Sequence, residues 1–329
     1  IRLYRFIGGM AMKSKGEFGF IDYIKTHFPD QTGVIGIGDD CAVIPAGEGE
    51  LLFSTDLLME GVHFLRSESS PEDVGWKAAA VNLSDIAAMG GTPVATFLSI
   101  ALPKDAQGEW AERFIEGYTQ ISRKYDVPLL GGDTTSSLRD IAVNIGVLGR
   151  CPSGKRLIRS GARVGETIYV TGPLGDSAGG LQAILKGIDR TEDVEILINR
   201  HKRPVPRVFE GKVLMETGRV GAMMDISDGI ASDLRHIMKA SGVGAVVALD
   251  KIPCSSQLRS VCAGQDWDIY ELAISGGEDF ELLLTGPEGL ERYVEFPLYA
   301  IGQIVAGDDL VWTLNDEPVD SMYVGYKHF

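Results

Sequence analysis

Apolar and polar positions fall into two rhythms along the chain. Short apolar runs at 51–55, 94–101 and 141–148 have the length and β-branched content of strands. Longer mixed stretches between them read as helices. Residues 71–89 form the best of these: Ser69 or Ser70 can cap the start, Pro71 suits the first turn, and Glu72 and Asp73 complement the helix dipole. A second helix is predicted over 109–125. A third is predicted from about Asp228 to Ala240, stopped by Gly242. This alternation predicts an α/β (α+β) protein. The polar, turn-rich stretch 151–156 separates two such halves, so the expected domains are 1–150 and 151–329.

Composition narrows the class. With 329 residues, 44% hydrophobic and 23% charged, the chain has the profile of a globular protein with room for two cores. A net charge of −15 argues against nucleic acid or an anionic membrane as partner. An anionic substrate would need cations to screen the acids, although on charge alone solubility is the plainer reason for the acidity. Cys41, Cys151, Cys254 and Cys262 form no C-x-x-C pair and no zinc spacing, which fits reduced thiols. No apolar run reaches the roughly 18–20 residues of a membrane span. The first fifteen residues lack the apolar core of a signal peptide, and Met12 is a candidate natural start that would leave 1–11 as an extension. A cytoplasmic protein is expected.

The candidate chemistry lies in acidic turns. Aspartate stands beside Gly, Ser, Thr or another Asp at Gly38-Asp39-Asp40, Ser54-Thr55-Asp56, Ser84-Asp85, Gly131-Gly132-Asp133 and Asp225-Ile226-Ser227-Asp228. Taken singly, such an acid is more often a turn or a cap than a ligand. Together they suit hard divalent cations and the phosphates those cations bridge. Asp85 carries the most information. It lies in an Ala/Val/Ile/Met-rich helix with Val81, Asn82, Ala88 and Met89 as its helical neighbours, so its partner must be a distant Arg or a cation. Asp56 is expected at a strand end, where α/β proteins place ligands. Scattered single carboxylates fit Mg²⁺ on a nucleotide better than Ca²⁺, because no EF-hand loop is present.

The glycines of Gly131-Gly132-Asp133 are read as a close backbone approach to phosphate. The segment 225–229 is read as a helix mouth with N–H groups open to an anion, or simply as an N-cap by Ser227 or Asp228. Arg159 and Lys77 are candidate phosphate clamps, with a surface salt bridge the plainer role for Lys77. His63 beside Phe64 reads first as a packed side chain. Gly276-Gly277-Glu278-Asp279 adds one more Gly-acid turn. The P-loop, dinucleotide and protein-kinase signatures are all missing.

Taken in order, several strings resemble the thiamine-monophosphate kinase family of the aminoimidazole-ribonucleotide-synthetase-like superfamily. They are Ile37-Gly38-Asp39-Asp40-Cys41-Ala42-Val43, Ser54-Thr55-Asp56 with Glu60-Gly61-Val62-His63-Phe64, and Gly75-Trp76-Lys77 through Asn82-Leu83-Ser84-Asp85. Gly131-Gly132-Asp133-Thr134-Thr135, Thr171-Gly172-Pro173-Leu174-Gly175-Asp176-Ser177, Asp225-Ile226-Ser227-Asp228-Gly229 and Gly276-Gly277-Glu278-Asp279-Phe280 complete the set, which spans about residues 16–329. The resemblance implies transfer of the γ-phosphoryl group of ATP to thiamine monophosphate. It implies several Mg²⁺ ions on Asp40, Ser54, Thr55, Asp56, Asp85, Asp133, Asp225 and Asp228. ATP would meet Gly132, Asp133, Arg159 and Ser227, and thiamine monophosphate would meet His63, Glu278 and Tyr326. A homodimer is implied, its N-terminal mixed sheets joining across the two subunits, with a C-terminal α/β sandwich. A phosphate-oxygen acceptor is already ionised, so direct in-line transfer without a general base is expected. The alternatives are another ATP-using member of the superfamily or a non-catalytic Mg-nucleotide binding module.

Overall fold

The computed structural model describes Ile35 and residues 39–319. Its first sheet contains β1 (Ala42–Ala46), β2 (Gly49–Met59), β3 (Thr92–Leu102), β4 (Leu129–Ser136) and β5 (Ala142–Pro152), in the order β1-β2-β5-β3-β4. Only the β3–β4 pair is parallel. The sheet's inner face presents Leu52, Leu58, Val143, Ile145 and Val147 to the core, while Phe53, Leu57 and Phe97 on its other face are exposed.

Helix α1 (Pro71–Ala88) lies on the inner face and is buried along nearly its whole length. Its start follows the local chemistry. Ser70 accepts the Asp73 N–H while the Asp73 side chain accepts the Ser70 N–H, and Pro71 fills the first turn. Helix α2 (Glu109–Tyr125) crosses α1 almost backbone to backbone. A Cβ on Gly117 would sit 2.0 Å from the Glu72 carbonyl oxygen, so this crossing admits only hydrogen there.

The second sheet contains β6 (Thr167–Val170), β7 (Ala222–Asp225), β8 (Gly244–Ala248), β9 (Leu282–Gly286), β10 (Tyr299–Val305), β11 (Leu310–Leu314) and β12 (Glu317–Pro318). Their order is β12-β11-β8-β10-β6-β9-β7, with only β8–β11 parallel. Helices α3 (Asp176–Lys186), α4 (Glu192–Lys202), α5 (Val208–Thr217), α6 (Ile230–Ser241), α7 (Ser256–Gln265) and α8 (Ile269–Ser275) belong to this half. Ala87 and Ala88 at the end of α1 pack with Tyr169, Leu214 and Met223, so one core cluster crosses the seam between the halves. No helix among the described residues is long and apolar enough to cross a membrane.

Both sheets are mixed and both carry helices, as the alternating pattern predicts, but three local expectations change. Asp56 lies inside β2, not at its end, because the strand runs on through Met59. Residues 131–133 form part of β4, an edge strand held by parallel pairing with β3, and not a turn. The third predicted helix begins at Ile230, with Gly229 and not Ser227 or Asp228 as its N-cap.

Candidate active site

Helix α1 presents two polar side chains in succession where the sheets meet. Ser84 donates to Asp225 Oδ2 at the end of β7, and Asp85 Oδ2 accepts from Ser54 Oγ on β2 at 2.5 Å. One turn earlier, Asn82 accepts the Asp56 N–H at 3.1 Å. This arrangement brings together Asp40, Asp85 and Asp225, which offer carboxylate oxygens within 4.8 Å of one another. Asp40 Oδ2 is buried without a hydrogen-bond partner among the described residues.

Such a cluster is electrostatically unfavourable without a cation. Burial, then the charge of Asp40, pushes the Asp225 carboxyl up to about 7. Burial and Asp40 likewise push Asp56 up to about 6. Asp85 is raised well above the usual carboxylate range by burial and by Asp56, Asp225 and Asp40. Among the described residues, the guanidinium in contact is that of Arg159, whose Nη2 donates to Asp40 Oδ1 at 2.6 Å. The Arg159 backbone N–H bonds Asp39, itself pushed up to about 6 by burial and Asp40. Arg159 is thus the partner of Asp40 and not of Asp85, whose hydrogen-bond partner is the Ser54 hydroxyl. An oxygen-rich, acid-lined site of this kind fits a hard divalent ion.

Ser227 and Asp228 line a cleft of about 820 Å³ that begins at Asp56 and runs past His63 to Glu278. Their backbone N–H groups are not open to an anion, since both donate to Asp233 Oδ2 at 3.1 and 3.2 Å. The cleft also has an apolar lining, which includes Val62 and, from α3, Leu181 and Leu185. His63 is not simply packed: its Nδ1 accepts the Met59 N–H at 3.0 Å and fixes the turn after β2. Lys77 is not on the surface but buried, donating to Glu278 at 2.8 Å. Thr55 and Asp133 lie apart from the triad on the open face of the first sheet. Register aligns Asp133 with Ser99 and Ser99 with Asn144, whose Nδ2 donates to Thr55 Oγ1 at 2.8 Å. Gly132 is on the same exposed edge strand. Tyr326 lies outside the described residues.

Residues 38–151 match the family model for the AIR synthase related protein N-terminal domain, and 163–315 match that for its C-terminal domain. Thiamine-monophosphate kinase from Salmonella typhimurium is 42% identical, the match covering 89% of this chain and 91% of that protein. The chain belongs to the thiamine-monophosphate kinase family. Another member, from Aquifex aeolicus, is 37% identical across 97% of this chain and all of its own length. A solved structure of AaThiL complexed with AMPPCP and TMP aligns with a TM-score of 0.87 at 35% identity, covering 98% of this chain and 99% of that one.

Sequence reasoning passed over several residues that build this family member's site. Asn82, Ser84, Asn144 and Asp233 hold the acids or their backbone by hydrogen bonds. A signal was present for Asn82 and Ser84, polar positions in the same apolar helix that made Asp85 informative. The role of Asp233 depends on the fold of the loop before α6 and had no local signal.

Proposed function

We propose that this protein transfers the γ-phosphoryl group of ATP to thiamine monophosphate, forming thiamine diphosphate and ADP. Full-length similarity to thiamine-monophosphate kinases supports the activity. The observation that carries the chemistry is the partly buried Asp40–Asp85–Asp225 triad, with its unpartnered Asp40 oxygen, close to a cleft of about 820 Å³. Asp40, Asp85 and Asp225 would hold Mg²⁺, with Ser54, Asp56 and Asp228 beside them. The chemistry supplied by such an ion would be neutralisation of charge on the phosphates being joined.

The chain's own groups position the reactants. Arg159 and Ser227 flank the donor side, and His63 and Glu278 the acceptor side, with Tyr326 assigned there by family resemblance. The apolar wall of Leu181 and Leu185 suits the acceptor's heteroaromatic rings. A terminal phosphate oxygen of thiamine monophosphate attacks the γ-phosphorus in line, the bond to the β-bridging oxygen breaks, and ADP leaves. That oxygen carries no proton to remove, so no side chain serves as general base. Gly132, Thr55 and Asp133 enter the ATP and metal site in a homodimer, in which the open face of the first sheet meets a second copy. The protein is assigned to the cytoplasm.

The test is product analysis by chromatography with ATP and Mg²⁺, supplying thiamine monophosphate, thiamine or no acceptor. Thiamine diphosphate should form from the monophosphate alone. ADP without that product would assign another reaction of the superfamily, and ATP binding without ADP would leave a binding module.

A further inference from the structure

Resting on that reading, we propose that Lys77 is the positioning residue of the acceptor side, holding Glu278 and the His63 turn in register across the two halves of the molecule. Lys77 lies on α1 with its side chain 4% exposed, among Ala78, Ala79 and Ala80. A buried ammonium is strongly unfavourable unless paired, and Nζ finds two partners from different parts of the chain. It donates to Glu278 Oε2 at 2.8 Å and to the His63 carbonyl oxygen at 3.1 Å. Both residues line the same cleft. One side chain of the first half therefore fixes the spacing between a wall of its own half and a carboxylate of the other.

The second half presents Glu278 in a fixed pose. Its φ of 65° is left-handed, a conformation that a non-glycine residue keeps only when its surroundings enforce it. The Glu278 N–H donates to the Ser227 carbonyl at 2.8 Å and the Phe280 N–H to that of Ile226 at 2.9 Å, so the turn rests on the segment beside the metal site. His201 Nδ1 is 3.4 Å from Glu278 Oε2 and 3.0 Å from Ser177 Oγ. Burial, then the charge of Lys77, holds this imidazole down at about 3, so Lys77 is the cation facing Glu278 at neutral pH. Against the burial that would raise it, Lys77 holds the Glu278 carboxyl below its ordinary value, so the carboxylate stays ionised. The donor-side contact of Arg159 with Asp40 shares no atom with this arrangement.

The test compares wild type, K77Q, K77R, E278Q and K77Q/E278Q in steady-state kinetics, varying thiamine monophosphate and ATP separately. K77Q should raise KM for thiamine monophosphate on the order of 30-fold, leave KM for ATP within about twofold, and be largely rescued in K77R. Because Lys77 acts through Glu278, the double variant should be no worse than E278Q alone. The double variant removes both buried charges together, so this comparison holds even if K77Q alone, which leaves Glu278 uncompensated, does not fold. A wild-type acceptor KM in K77Q, equal rises in both KM values, or additive losses in the double variant would overturn the role of Lys77. Absence of thiamine diphosphate from the wild-type reaction would instead remove the kinase reading, and this inference with it.

Discussion

At the scale of single residues, the acid triad trades stability for function. Asp85 is half-buried against Asp56, Asp225 and Asp40, and the contact that favours its charge is the Ser54 hydroxyl. Asp85→Asn keeps the shape and removes one of the repelling charges. The metal-free variant should therefore be more stable than wild type by roughly 1–3 kcal/mol in urea denaturation, while turnover falls by about 100-fold or more. Added Mg²⁺ should raise the melting temperature of wild type and have little effect on the variant. A less stable variant, or one with normal turnover, would contradict the metal assignment. His201 gives a pH prediction of definite sign. Its imidazole is held at about 3 against an ordinary 6.5 by burial, Lys77 and Lys202, against the opposing pull of Glu278. Between those values the unfolded chain binds a proton that the folded one refuses, so stability is lost as pH falls below 6.5. Moving from neutral pH to about 5 should cost wild type about 2 kcal/mol more than His201→Gln, measured as the difference between their urea midpoints at each pH.

At the scale of elements, the tightest constraint is the α1–α2 crossing. Gly117→Ala drives a methyl group into the Glu72 carbonyl and must separate the helices, at a cost of roughly 2–4 kcal/mol. Gly264→Ala in α7 meets nothing within 4 Å and should be neutral or stabilising by up to about 1 kcal/mol. Denaturant midpoints for the pair check both signs. These elements also show what the sequence could express. Helix α1 was readable end to end because Ser70, Pro71 and Asp73 act locally, and Asp85 stood out because a carboxylate in an apolar helix needs a distant partner. The same reasoning applied to Lys77, four residues from Val81 in that helix, would have placed it inside. The Gly131-Gly132-Asp133 segment was misread because glycine and aspartate disfavour strands locally. Pairing with β3, a tertiary effect, overrides that preference. The loop before α6 was misread for a related reason: Asp233, five residues beyond Asp228, satisfies the N–H groups that an isolated helix mouth would leave open.

At the scale of the whole molecule, the described residues cover the first sheet on one face only. Helix α1 covers the inner face, while the other carries exposed Phe53, Leu57 and Phe97, and β4 is exposed along its whole length as an edge strand with Leu129 and Leu130. An apolar face beside an edge strand that no described residue pairs is the surface a second copy would cover. That arrangement also gives Thr55 and Asp133 a use, since both lie on the open face away from the triad. In the homodimer proposed above, assembly and catalysis are therefore coupled. Sedimentation equilibrium at micromolar concentration should give twice the monomer mass. Leu130→Asp places a charge on the edge strand without touching the triad, and should yield a folded monomer whose phosphoryl transfer is lost. A monomeric wild type with full activity would show that one chain completes the site. A dimeric Leu130→Asp variant with normal turnover would place the interface elsewhere.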